Sequence, residues 1–126
     1  MKQFASHYLY YGQSLRMHCI RLDGTGCIER VFPFVEEIAS TVFVDGLVFP
    51  IRANQSVDAA LLLNSLKCMQ AEQPTASAFE LIAQLSDLAP IDYADPVLLF
   101  RLHGCDFSSP KFGTDNGCRY GYIERL

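Results

Sequence analysis

Two helical patterns separate two strand-like stretches of this chain, and their order limits the folds that it can adopt. Before position 52 and after position 95, short runs alternate between apolar and polar residues or are apolar throughout, which is typical of strands. Residues 56–88 instead carry apolar side chains at helical spacing. Because strands and helices are segregated along the chain, the order favours an α+β domain over a doubly wound sheet.

The first stretch contains three strand patterns before residue 35. His7–Tyr11 is aromatic, and Leu15–Leu22 alternates imperfectly between apolar and polar side chains. Asp23–Gly26 is typical of a turn. Cys27–Phe34 then resumes the strand pattern. We therefore expect neighbouring strands joined by short turns.

The strongest hairpin signal lies further along the first stretch. Asp45 and Gly46 stand between Thr41–Val44 and Leu47–Ile51, two runs rich in β-branched and aromatic residues. An Asp-Gly pair favours the positive φ angles of a tight hairpin turn. The pattern predicts two antiparallel strands that join at these two residues.

The first helical pattern covers Ser56–Gln70. Ser56 is predicted to cap its N-terminus, and Asp58 is predicted to lie in the first turn, where the helix dipole favours a negative charge. One apolar stripe runs along it and is formed by Ala59, Leu62, Leu63, Leu66 and Met69.

The second helical pattern covers Thr75–Leu88. Ser77 and Glu80 have the spacing of a capping box near its start. Pro90 follows and cannot continue the helix. Its apolar stripe consists of Ala78, Leu81, Ile82 and Leu85.

The last part of the chain returns to strand patterns. Pro96–His103 is almost continuously apolar, as a well-buried strand is, and Arg119–Leu126 is a short final strand pattern. These late strands must pair with the early sheet, since their edges would otherwise stay open. We expect Val97–Leu102 to lie beside an N-terminal strand, with the helices covering one face or end of the sheet.

These patterns predict one α+β domain over residues 1–126. A β-sandwich or half-barrel is expected from residues 6–51 and 96–125, built from N- and C-terminal strands. The two intervening helices, residues 56–88, form a helical pair between them.

Charge and hydropathy exclude several classes of function. The net charge is −4, and the 10 lysines and arginines are scattered rather than clustered, so we expect no nucleic-acid partner. No apolar run approaches the roughly 20 residues that a membrane-spanning helix needs. The first residues lack the features of a signal peptide. We therefore expect a cytoplasmic protein that has no membrane contact.

The five cysteines and three histidines are the candidate metal ligands. His18 and Cys19 are adjacent on a predicted strand, so they point to opposite faces. His103 and Cys105 are two residues apart and could share a face, which Cys118 could approach, although zinc would need one more ligand. Because no C-x-x-C or H-x-H spacing occurs, we favour buried, hydrophobe-like thiols and predict no metal and no cofactor.

Catalytic groupings are equally sparse. Cys105 near His103 suggests a Cys–His nucleophile, but Asp106 is the only evident orienting acid, and a turn at the end of a strand explains these residues better. Glu36 and Glu37 are neighbours, as in a solvated loop. We predict no catalytic residues.

Tyrosines cluster near both ends of the sequence. Tyr8, Tyr10 and Tyr11 lie near the start, and Tyr120 and Tyr122 lie near the end. If the end segments pair, these rings form one aromatic patch of the kind enriched at interfaces. Cross-strand packing within the sheet is the favoured explanation.

Four segments of the chain carry a resemblance to a known family. Leu22–Ile28 and Val42–Pro50 resemble the N-terminal flanking segment of the amidohydrolase superfamily of metal-dependent hydrolases. Ala94–Leu99 is similar to a late strand of that family, and Ala76–Leu88 to its last barrel helix. In the family, both chain ends assemble a small β-sandwich around a TIM barrel. The resemblance implies a composite β domain of this kind.

The family's metal chemistry is not implied. There, the strand that Val42–Pro50 resembles runs straight into a His-x-His metal pair, whereas Ile51–Gln55 contains no histidine. Only about 45 residues separate the two strand-rich parts, and a (β/α)₈ barrel needs roughly 200 or more. The resemblance therefore implies the composite β domain with the catalytic barrel absent.

Three hypotheses for the function arise from these observations. The first is a non-catalytic interaction or regulatory module that has a protein partner or associates with itself. The alternative is a small-molecule or metal-binding domain that uses the region of His103, Cys105 and Cys118. A cysteine-dependent enzyme at Cys105 is a third hypothesis.

Overall fold

Six strands and two helices make up the described part of the chain in the computed structural model, which covers residues 2–35, 40–53, 57–103 and 122–126. The α+β class predicted from the sequence is confirmed. The elements are β1 (Lys2–Tyr10), β2 (Ser14–Leu22), β3 (Ile28–Pro33), β4 (Thr41–Arg52), α1 (Ala59–Glu72), α2 (Ala78–Ala83), β5 (Val97–His103) and β6 (Tyr122–Arg125).

The strands form a single mixed sheet in the order β3-β2-β1-β4-β5-β6. The central pair, β1 and β4, is parallel, and the other neighbours are antiparallel. Leu47 pairs with Leu102 and Arg52 with Val97, so Val97–Leu102 lies beside an N-terminal strand as expected. The late strands therefore extend the early sheet.

The predicted hairpin at Asp45 and Gly46 is wrong, because β4 runs through both residues without turning back. Gly46 does have the positive φ that the pattern suggests, at 90°. The register against β1 shifts there, since Ser6 pairs with Val44 but Tyr8 pairs with Leu47. The Asp-Gly pair therefore forms a β-bulge rather than a turn.

An irregularity at Met17 explains the imperfect alternation of β2. Met17 has a φ of 51°, in the left-handed region. Leu15 packs on the same core as Ile20 and Leu22, although strict alternation would place it on the other face. The sequence of β2 thus follows two short alternating patterns with opposite phase.

One face of the sheet packs against the helices and forms the helix core. Phe49 of β4 and Phe100 of β5 stack here, with ring centroids 6.3 Å apart. The helices contribute the buried part of their apolar stripes. The buried members of this core are Leu47, Phe49, Ile51, Leu62, Leu66, Ala76, Ala78, Leu81, Ile82, Phe100, Leu102 and Ile123.

The other face curls over a second core, here called the seam core. Its buried members are Leu9, Ile20, Leu22, Val44, Val48, Ala89, Val97 and Leu99. The amide of Val97 donates to the carbonyl oxygen of Gly26 at 2.9 Å, which joins the β2–β3 turn to the start of β5. β1 and β4 separate β2 from β5 in the sheet, so this contact requires strong curvature. The sheet is therefore a half-barrel.

The helices begin and end at other residues than predicted. α1 starts after Asp58, which is the N-cap itself and accepts a hydrogen bond from the amide of Leu61 at 2.9 Å. The proposed cap Ser56 lies outside the described residues. Ser77 does cap α2, since its hydroxyl accepts from the amide of Glu80 at 3.2 Å. Both caps satisfy backbone amides at the start of a helix.

α2 ends at Ala83 rather than Leu88 because β4 binds the residues that follow. The amide of Arg52 donates to the carbonyl oxygen of Asp87 at 3.0 Å, and the amide of Ala89 donates to that of Pro50 at 3.0 Å. Leu88 also forms an isolated bridge with Ile51. Pairing with the sheet thus replaces the last helical turn that the local sequence favours.

The turn between β1 and β2 contacts the connection between α2 and β5. The hydroxyl of Tyr11 accepts a hydrogen bond from the amide of Asp92 at 2.8 Å. Gly12 has a φ of 74°, and a Cβ added to it would collide with the side chain of Ile91.

Among the described residues, no helix combines the length and the apolar character needed to cross a membrane.

We expect Gly12→Ala to lower the free energy of unfolding by about 1 kcal/mol or more, because an L-residue is strained at this positive φ. The matched control is Gly24→Ala, because Gly24 has an ordinary φ and open space beside it. Urea unfolding of the two variants checks this. Equal stability of the two variants would contradict the assigned strain at Gly12.

Candidate functional site

The structure leaves the site predicted at residues 103–118 untested. The backbone of His103 ends β5 and pairs with Tyr122 of β6. The side chain of His103, together with Cys105 and Cys118, lies outside the described residues. Ligand or metal binding in this region therefore stays a prediction, and so does the Cys–His hypothesis at Cys105.

The described histidines and carboxylates do not assemble a metal site. Within residues 2–35, 40–53, 57–103 and 122–126, no group of three or more His, Cys, Asp or Glu side chains is placed to hold an ion. The Nδ1 atom of His18 lies 2.9 Å from the carbonyl oxygen of Arg16, which is a local contact. The ring of His7 packs on Phe43 at 5.0 Å. Glu36 and Glu37 are not among the described residues.

The N-terminal tyrosines pack within the fold. Tyr8 and Tyr10 lie against the helix core. The ring of Tyr8 is 5.4 Å from that of Phe79, and the guanidinium of Arg16 lies 5.8 Å from its centroid. These contacts favour the sheet-packing explanation over an aromatic patch. Tyr120 and the ring of Tyr122 lie outside the described part of the chain.

A cavity of about 330 Å³ opens where the half-barrel fails to close, and we call it the seam cavity. The β2–β3 turn forms one wall, and the start of β5 forms the opposite wall. Its lining residues are Lys2, Phe4, Leu22, Asp23, Gly24, Thr25, Gly26, Ala53, Pro96, Val97, Leu98, Leu99, Arg125 and Leu126. It lies at the end of β5 opposite to His103.

Hydrogen bonds inside the turn fix the first wall of the seam cavity. Oδ1 of Asp23 accepts from the amide of Thr25 at 2.8 Å, from its hydroxyl at 2.6 Å and from the amide of Cys27 at 3.1 Å. These bonds hold the pKa of Asp23 below its usual range, because they favour the charged carboxylate. The turn is thus an Asx-type structure in which Asp23 has a positioning role.

Two cations stand at the rim of the seam cavity. Lys2 opens β1 and Arg125 ends β6, and both side chains are exposed. In the described part of the chain, neither forms an ion pair, whereas the neighbouring Arg101 pairs with Glu124. The cavity is thus lined by both apolar and cationic residues.

A second candidate lies where the chain crosses from β3 to β4, and we call it the crossover surface. It consists of three exposed hydrophobic side chains: Met17, Val35 and Phe43, which are 40%, 84% and 44% exposed. Val42 is also exposed, but it precedes Phe43 in a regularly paired part of β4 and therefore points to the opposite face of the sheet. Phe34 connects Met17 and Phe43, because its amide donates to the carbonyl oxygen of Met17 at 2.8 Å and its ring lies 6.1 Å from that of Phe43.

The cysteines differ sharply in their surroundings. Cys19 is fully buried and pairs across strands with Ala5 and Phe32, so it packs as the small hydrophobe predicted from the sequence. Burial raises the pKa of the Cys19 thiol, and the charge of Arg21 offsets only part of that effect. Cys27 is half-buried and Cys68 is exposed. The expectation of burial therefore holds for Cys19 and fails for Cys68.

Sequence reasoning missed both the seam cavity and the crossover surface. It identified Asp23–Gly26 as a turn, but the opposite wall begins at Pro96, far along the chain. No local pattern shows which residues face each other across a curled sheet. The exposed apolar positions of β4 have the same sequence character as its buried ones.

Comparisons with known proteins add no family assignment. The chain matches no family model, no curated protein and no solved structure. The resemblance to the flanking domain of amidohydrolases therefore rests on the segments of the sequence that carry it. The candidate sites must be argued from their own geometry.

We expect iodoacetamide to alkylate Cys68 rapidly in the native protein and to spare Cys19, because the thiolate is the nucleophile and burial disfavours it. Mass spectrometry of the tryptic peptides over time measures both rates. Urea should make the two rates similar, which serves as the control. Equally fast alkylation of Cys19 without denaturant would contradict its burial.

The lowered pKa of Asp23 predicts a stability contribution that depends on pH. It is fully present above the unfolded-state pKa of about 3.9 and is lost as the pH falls towards the folded-state value. Asp23→Asn should therefore unfold more easily than the wild type at pH 7, and the difference should shrink at pH 3. Urea unfolding at both values measures it. A difference that does not change with pH would refute this role of the carboxylate.

Proposed function

We propose that the protein is a non-catalytic interaction module that docks on another folded protein through the crossover surface. One observation carries the proposal. Of the six large hydrophobic side chains that are exposed in the described part of the chain, three belong to this surface. The remaining three are Val42 on the other face of β4, Leu61 on α1 and Ile91 on the connection to β5.

The composition of the crossover surface suits an interface. Single exposed hydrophobic residues are ordinary, but adjacent ones are less so and often mark a binding site. Phe and Met are enriched in the centres of protein interfaces. Phe43 is held in place by ring contacts with His7 and Phe34, so little side-chain entropy would be lost on docking.

The area of the surface favours a reversible complex. A stable interface of standard size covers about 800 Å² on each partner. Three partly exposed side chains supply the apolar centre of such an area but not its whole extent. The proposed complex is therefore a small one, of the type that forms and dissociates during regulation.

The edges of the sheet argue for docking by side chains rather than by strand addition. β3 is an edge strand that contains the charged Arg30, ends in Pro33 and has a bulge in its pairing opposite Arg21 and Leu22. β6, at the other edge, has only four residues. Charges, proline, bulges and short edge strands all discourage pairing with another chain.

The proposed absence of catalysis follows from the residues after Pro50. Where the resembling family has its His-x-His pair, Ile51 is buried in the helix core and the guanidinium of Arg52 lies 6.0 Å from the ring centroid of Tyr93. These positions serve packing here. We therefore propose a composite β domain of the amidohydrolase type that works without a barrel, in the cytoplasm and without a nucleic-acid partner.

Photo-crosslinking tests the docking proposal. Benzoylphenylalanine placed at Val35 should give one discrete adduct with a different protein in the cells that natively make this chain. The substitution Phe43→Thr should abolish that adduct, because it removes apolar contact area but retains high strand propensity.

A matched control removes exposed apolar area elsewhere. Val42→Thr, on the opposite face of β4, should leave the adduct intact, and so should Leu61→Gln combined with Ile91→Thr. Thermal melting should show that all these variants are folded. The proposal is wrong if the adduct survives in the Phe43→Thr variant. It is also wrong if the only adduct joins two copies of this chain.

A further inference from the structure

We propose that the seam cavity binds a small amphipathic anion, namely a carboxylate that carries a short apolar tail. This site is separate from the crossover surface and does not depend on the proposed docking function. The inference rests on three properties of the cavity: its volume, its apolar wall and the charge of its rim.

The volume sets the size of the ligand. A cavity of about 330 Å³ is at the lower end of the range seen for small-molecule pockets. Since a water molecule occupies roughly 30 Å³ in the liquid, the cavity has room for about ten non-hydrogen atoms. The volume therefore suits a small ligand.

The inner wall selects an apolar tail. Leu22, Val97 and Leu99 line the cavity and are also buried members of the seam core, and Phe4 packs against that core. The cavity is thus an extension of the apolar interior towards solvent. Transfer of methylene groups from water to such a wall is favourable.

The rim selects a negative head group. Lys2 and Arg125 have no ion-pair partner among the described residues, so their charges are free to act on a ligand. Asp23 also lines the cavity, but the hydrogen bonds of its own turn occupy Oδ1. The side chains that line the cavity thus include two cations and one carboxylate, although the whole chain is acidic.

Matched ligands test the inference on the purified full chain. Octanoate has ten non-hydrogen atoms and combines both required features. It should raise the melting temperature in a saturable manner and bind once per chain in calorimetry, because a ligand of the folded state stabilises that state. Octylamine has the same tail with the opposite charge, and acetate has the head group alone, so both should bind at least tenfold more weakly.

Charge variants and chemical shifts locate the site. Lys2→Glu combined with Arg125→Glu should weaken octanoate binding at least tenfold, whereas Arg30→Glu, which reverses an exposed charge on β3, should not. Methyl signals of Leu22, Val97 and Leu99 should shift on titration, and those of Leu62 and Leu66 in the helix core should not.

Three results would overturn the inference: no octanoate binding at millimolar concentration, equal binding of octylamine, or unchanged affinity in the Lys2→Glu, Arg125→Glu variant. None of these measurements involves a protein partner. A failure here therefore leaves the docking proposal standing, and a failure of the crosslinking experiment leaves this site standing.

Discussion

The curvature of the sheet is the constraint on which the other features depend. β2 and β5 are separated by two strands, yet Val97 reaches the carbonyl oxygen of Gly26. A flat sheet would leave one face without cover, because the helices pack on the other face only. Curling lets the sheet bury its second face against itself, and Ala89 of the connection to β5 joins the resulting core. A β-bulge at Gly46 in β4 and the left-handed backbone of Met17 in β2 accompany the bending.

The sequence predicts an element correctly where a local signal acts alone. The prediction fails where pairing with a distant segment competes with the local signal. The predicted cap of α2 at Ser77 is correct because, among the described residues, no other partner competes for that hydroxyl. The Asp45-Gly46 pattern also predicts the correct backbone, a positive φ. However, β4 pairs with β1 on one side and with β5 on the other, so the glycine bends the strand instead of reversing the direction of the chain. Residues after Ala83 have helical spacing, yet their backbone bonds with Pro50 and Arg52 hold them beside the sheet. Tertiary pairing decides both cases.

The candidate sites were less predictable than the fold because they are made by surfaces and not by motifs. The wall at Asp23–Gly26 has a strong local signature, but its counterpart at Pro96–Leu99 comes from the other half of the chain. Exposure of Phe43 likewise depends on where its strand neighbours end, and the alternation of β4 carries no trace of it. The curvature of the sheet determines which residues face one another across the seam.

The parallel pair at the centre of the sheet has a consequence for how the chain acquires its structure. β1, β2 and β3 are joined by short turns and form a meander with local contacts. β4 must then cross both β2 and β1 to reach its place, and its outer neighbour β5 lies more than 40 residues further on. Such distant pairings form slowly, because the chain must lose the entropy of loop closure before the contacts that compensate this loss can form. During synthesis, the apolar residues of β4 are therefore made long before β5, the strand that covers them. In this interval the nascent sheet is accessible to a chaperone or an early-binding partner.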